Sequence, residues 1–205
     1  MFKQLTKTEI ALFKKLNTPQ KVQNYLDALP INFERDGETC MAPRSVIKNK
    51  KAHCMEGALF AAAVFLYYKR KPLLLHLKAT KNDYDHVIAL FHEKSGWGAV
   101  SKTNHATLRY RDPVYKSVRE LVMSYFHEYF PDNGKKSLYA YSQPLDLRKF
   151  KNLNWLVSDD DAWRIDWAFD DMPHKIIVPV RTMKKLRRAN ALEQKAGKLT
   201  EWKNR

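Results

Sequence analysis

One stretch constrains this chain most. "GALFAAAVFLYY", Gly57 to Tyr68, is twelve residues without a charge, entered by Cys54 and flanked on both sides by lysines and arginines. A bilayer span needs about 18 or more such residues, so the run reads as a buried helix and no membrane span is expected. The helix should run from about His53 to Arg70 and stop before Pro72. With 205 residues and 44% hydrophobic content, the chain can bury one real core. The expectation is a single α+β domain over residues 1–180, followed by a basic helical tail, 181–205. The start, "MFKQLTKTEIALFKK", lacks the apolar segment of a signal peptide. Two cysteines, Cys40 and Cys54, do not make a disulfide framework, so a cytoplasmic protein is expected.

Around the central helix the order of elements is readable. "KTEIALFKKLN" and "TPQKVQNYLDALP" predict two short helices, the second capped by Thr18 and opened by Pro19. "PLLLHLKAT", "DHVIALFHE" and "WGAVSKT" predict three strands, the last two joined as an antiparallel hairpin through "EKSGW". Alternation places His86, Ile88 and Leu90 on one face, which is expected to meet the central helix. "RDPVYKSVRELVMSYFHEYFPDNG" predicts a helix capped by Asp112 and opened by Pro113. A further strand and short turn, a capped helix in "SDDDAWRIDWAFDDMP" and a strand in "HKIIVPV" complete the pattern. Ser and Asp capping explains "SDDDAW" more simply than a divalent cation does.

A thiol in the first turn of a helix feels the positive end of the macrodipole and unpaired N–H groups, both of which favour thiolate. The same N–H groups can hold an oxyanion. A histidine on a neighbouring strand can take the thiol proton and later protonate a leaving group, and a third polar residue can orient its ring. Cys54, His86 and the polar strand exit "SKTNH" supply these parts in that order.

"CMEGALFAAAVF" followed by "HVIALFHEKSGWG" resembles the transglutaminase-like branch of the papain-like cysteine enzymes, over about residues 40–112. The resemblance implies a cysteine-bearing helix packed on an antiparallel sheet, with Cys54 as nucleophile and His86 as base and acid. It implies a peptide or amide substrate, and no calcium site or organic cofactor is evident in the sequence. In that family an Asp usually stands four residues after the Trp of the Gly-Trp turn. Here that position is Ser101, and Asn104 lies three residues further on. Both are candidates for the third residue, with Asn104 preferred, and Asp112 is a weaker choice. A three-residue hairpin loop sets Asn104 opposite His86; a loop of two or four sets Thr103 or His105 there.

Trp97, Lys102 and His105 are the candidate substrate contacts, Lys102 and His105 as part of an anion-binding rim with Asn104, Arg109 and Arg111. Cys40 is the rival thiol, and with His53, Cys54 and His86 it builds a zinc site only on paper, since no CxxC or HxxxH spacing backs it. The formal net charge is +15, of which residues 181–205 carry +7 from nine Lys/Arg and two Glu. That tail suits an anionic partner such as nucleic acid. A binding module that keeps the fold without catalysis is therefore the alternative reading.

Overall fold

The computed structural model describes residues 2–203 as an α+β fold. After a 3-10 turn at Phe2–Gln4 come α1 (Lys7–Lys15), α2 (Pro19–Asp27), α3 (Pro43–Asn49) and α4 (Cys54–Tyr67). Strands β1 (Leu73–Ala79), β2 (His86–Glu93), β3 (Gly96–Val100) and β4 (Arg111–Tyr115) lead to α5 (Val118–Phe126). Then follow β5 (Leu138–Ser142), β6 (Leu145–Asp146), a 3-10 turn at Leu147–Phe150, α6 (Asp159–Trp167), β7 (His174–Ile176), α7 (Val180–Met183) and α8 (Ala191–Gly197). The sheet is antiparallel in the order β4-β3-β2-β1-β5-β7, with β6 also pairing β1. Among the described residues no helix is long and apolar enough to cross a membrane.

Helices cover both faces of this sheet, which explains why its central strands are apolar almost throughout. Leu74, Val87, Ala89, Phe91 and Val100 join α4 in one cluster. Leu73, Leu75, Leu77, Ile88, Leu90 and Ala99 join α5 in the other. Every α4 residue from Met55 to Phe65 is buried, because α2 and α3 close the sides the sheet leaves open.

Two expectations need correction here. Ile88 and Leu90 face α5, not the central helix; Val87, Ala89 and Phe91 face α4. The cause is that both faces are buried, so hydrophobicity alone does not say which parity belongs to which layer. The second is the helix expected from Pro113. Residues 111–115 instead pair with β3 as an edge strand, where a proline's missing N–H is tolerated. The helix starts at Val118, and Ser117 rather than Asp112 caps it by accepting from the Glu120 N–H at 3.1 Å.

The β2–β3 loop has two residues, Lys94 and Ser95, since Glu93 pairs with Gly96. Gly96 sits at φ 146°, and a Cβ there would lie 2.5 Å from the Tyr115 carbonyl oxygen, so only glycine lets β4 close over the hairpin. The basic C-terminal segment is broken into α7 and α8 rather than forming one helix. Met183 is buried in the cluster under α5, and Thr200 bridges back to His105.

Candidate functional site

Cys54 is the first residue of α4 and remains partly exposed. As the first helical residue it has no intrahelical partner for its N–H. The residue before it, His53, is the N-cap. Its Nδ1 lies 3.3 Å from the Met55 backbone nitrogen, while Nε2 lies 2.9 Å from the Thr39 carbonyl and 3.3 Å from Glu56 Oε1. Glu56 completes a capping box by accepting from the His53 N–H at 2.8 Å. Its carboxylate is fully buried and also accepts from Asn32, Thr39 and the Met41 N–H. This satisfied anion is what holds the His53 ring against the start of α4.

His86 opens β2, next to Asp85, whose carboxylate accepts from the Ala79 N–H at 2.7 Å and lies 3.1 Å from His76 Nε2. Those contacts fix the chain one residue ahead of the imidazole. His86 is buried, and its Nε2 lies 2.8 Å from Ser101 Oγ. Ser101 Oγ donates its own proton to the Leu108 carbonyl at 2.5 Å. Its lone pairs are therefore what faces the ring, so a neutral His86 carries its proton on Nε2 and presents Nδ1 as the acceptor. Ser101 is held in turn by Gln23. Its N–H donates to Gln23 Oε1 at 2.9 Å, and Gln23 Nε2 donates to the Ser101 carbonyl at 2.8 Å.

His53 and His86 are the two side chains that act on the thiol, by hydrogen bonding and by charge. Burial pushes the Cys54 thiol up, but those bonds and the charges of the two rings outweigh it and hold it well below its ordinary value. For His53, burial disfavours the charged ring, yet hydrogen bonds to Cys54 and Glu56 push it up to about 11. Tyr129, packed under α5, and Asp166, on α6 in the other layer, both feel the Cys54 charge. The thiol therefore sits where the two layers meet at the end of the sheet. Burial, and then the Cys54 charge, push the Asp166 carboxyl up. Cys40 is a different thiol: 2% exposed, and pushed up by burial and by Asp166 and Glu56.

The other candidates lie elsewhere. Asn104 Nδ2 donates to the Trp202 carbonyl at 2.9 Å and its Oδ1 accepts from the Trp202 N–H at 2.8 Å, so its amide ties down the C-terminal segment. The register extends to place Thr103, not Asn104, level with His86, and Ser101 is the diagonal neighbour on the same face. His105 Nδ1 meets the Gly197 carbonyl at 2.8 Å. Lys102 is 1% exposed and points away from solvent, its ammonium donating to the carbonyls of Leu26 and Leu29 past the end of α2; burial lowers it to about 8. Trp97 packs on His92 near the hairpin turn, roughly 20 Å along β2 from His86 at ~3.3 Å per residue. Arg111 turns to Glu128 and Arg109 to Glu201, while Asp112 lies on β4.

Gln23, His53 and Asp166 were not singled out as catalytic or substrate candidates from sequence. Only Gln23 left a usable signal: a buried amide among Pro19, Val22 and Leu26 on the apolar side of α2. Among the described residues no three His, Cys, Asp or Glu side chains are grouped to hold a metal ion. Searches of family models and of curated proteins return no match for the chain.

Proposed function

We propose that this protein is a transglutaminase-like cysteine hydrolase acting on a peptide or amide bond. The observation that carries the reading is the line Cys54–His86–Ser101, with the thiol held low by two imidazoles at the start of a helix. An antiparallel sheet under a cysteine-bearing helix is compatible with a papain-like fold.

The Cys54 thiolate attacks the carbonyl carbon, forming a C–S bond while the carbonyl electron pair moves to oxygen. The Cys54 N–H, free of any intrahelical bond, is the donor for that oxyanion. His86, having taken the thiol proton on Nδ1, returns it to the leaving amine as the C–N bond breaks, leaving a thioester. Water then gives a proton to His86 and adds to the thioester, which releases a carboxylic acid and regenerates the thiol. Ser101 keeps His86 in the tautomer that offers Nδ1 to the sulfur. It supplies no charge to stabilise the imidazolium, and the second ring, His53, supplies part of that compensation at the thiolate instead.

The test is the rate of iodoacetamide alkylation against pH. A thiolate population persisting well under the ordinary cysteine value of about 8.5, and lost in His86→Ala, is expected. An ordinary thiol unaffected by His86→Ala overturns the reading and leaves a binding module on the same fold.

A further inference from the structure

A cavity lies apart from the thiol. About 760 Å³ in volume, it is bounded by the β1–β2 loop, the 131–136 segment and α7 with the residues after it. None of Cys54, His53, His86 or Ser101 lines it. Its walls include Tyr139 and Met183, and its rim carries Lys81, Lys135, Lys184 and Arg188. Those four side chains are exposed, with no ion pair among the described residues, and no Asp or Glu lines the cavity. Lys136 also borders it, but its ammonium is turned to the His127 carbonyl at 2.5 Å.

Four unpaired cations around one concavity focus a positive potential that an anion relieves. Several cations suit a multiply charged head better than a single carboxylate, and Arg and Lys are the usual partners of phosphate oxygens. The apolar floor suits a body attached to that head, and the volume is in the range of small-ligand sites. A strand of bases would need successive aromatic platforms, and the lining offers one, Tyr139. We propose that this cleft binds a small organic polyanion, a phosphorylated ligand of nucleotide size. Its body lies against Tyr139 and Met183, and its head meets Lys81, Lys135, Lys184 and Arg188. The site stands independently of the thiol chemistry.

Calorimetric titration of the full chain with ATP, as a representative ligand with a polyanionic head and a planar body, tests this. Saturable one-to-one binding is expected, weakened about tenfold or more by Lys184→Glu with Arg188→Glu. Lys81→Glu with Lys135→Glu, on the β1–β2 loop and the 131–136 segment, should act alike. All four residues are exposed, and a thermal melt of each variant reports folding. Lys149→Glu with Lys151→Glu makes the same change in net charge beyond β6, at the other end of β1, and should leave affinity within about twofold. Tripolyphosphate, a head without a body, should bind about tenfold more weakly than ATP. Equal weakening by the control pair overturns the proposal, as does equal affinity for tripolyphosphate. Failure to bind ATP, with or without binding of a single-stranded oligonucleotide, overturns it too.

Discussion

The His86 ring and the Ser101 hydroxyl meet at 2.8 Å, and the hydroxyl proton is already committed to the Leu108 carbonyl. Ser101 can therefore only accept from the ring, which assigns the His86 tautomer. Ser101→Ala removes the acceptor and leaves a buried N–H without a partner. The rate of Cys54 alkylation at neutral pH should fall about tenfold or more, in the range that loss of an acid–base element produces. An unchanged rate would show that Ser101 does not orient the ring.

His53→Asn puts a good N-cap residue at the start of α4 and removes the second imidazole from the thiol. The Cys54 pKa should rise, seen as a shift of the alkylation profile to higher pH. The stability effect has a defined sign. His53 has a folded pKa raised above its unfolded value, so its contribution is whole below about 6.5 and fades as pH climbs through about 11. The melting-temperature gap between wild type and His53→Asn should therefore be wider at pH 6 than at pH 10. A gap that widens with pH contradicts the assignment.

Gln23→Leu conserves volume while stripping the Ser101 N–H and carbonyl of their partners in a buried place. Two unsatisfied backbone groups should cost about 2–4 kcal/mol in denaturant unfolding. If Gln23 positions the site, alkylation of the still-folded protein should also slow, and Gln23→Glu should rescue part of it at low pH, where a protonated carboxyl can both accept and donate. Loss of stability with an unchanged alkylation rate would make Gln23 purely structural.

Gly57 lies where α4 passes under Lys102. A Cβ there would sit 2.5 Å from Lys102 Cβ, an atom fixed close to the backbone. Gly57→Ala gains helix propensity worth about 1 kcal/mol, yet overpacking should dominate and destabilise by about 1–3 kcal/mol. A more stable variant would mean that Lys102 and α2 can shift apart freely.

Much of the architecture was legible because it rests on local rules. Thr18 and Pro19 announce α2, the apolar run announces α4, and "EKSGW" announces the β2–β3 hairpin. The same rules failed where two local readings were equally good. Asp112-Pro113 has the form of a helix start, and only the pairing of β4 with β3 makes it an edge strand. The parity of β2 could not be assigned to a layer because α4 and α5 bury both faces.

The sequence by itself determined that a cysteine would enter a buried helix and that a histidine would stand on a nearby strand, because periodicity and capping are written within a few residues. Only the tertiary structure decided which polar groups serve them. Asn104 finds its partner 98 residues away at Trp202, and Gln23 finds Ser101 across 78. Buried polar side chains must be satisfied by whatever packing brings within about 3 Å, and that neighbour is a property of the folded chain.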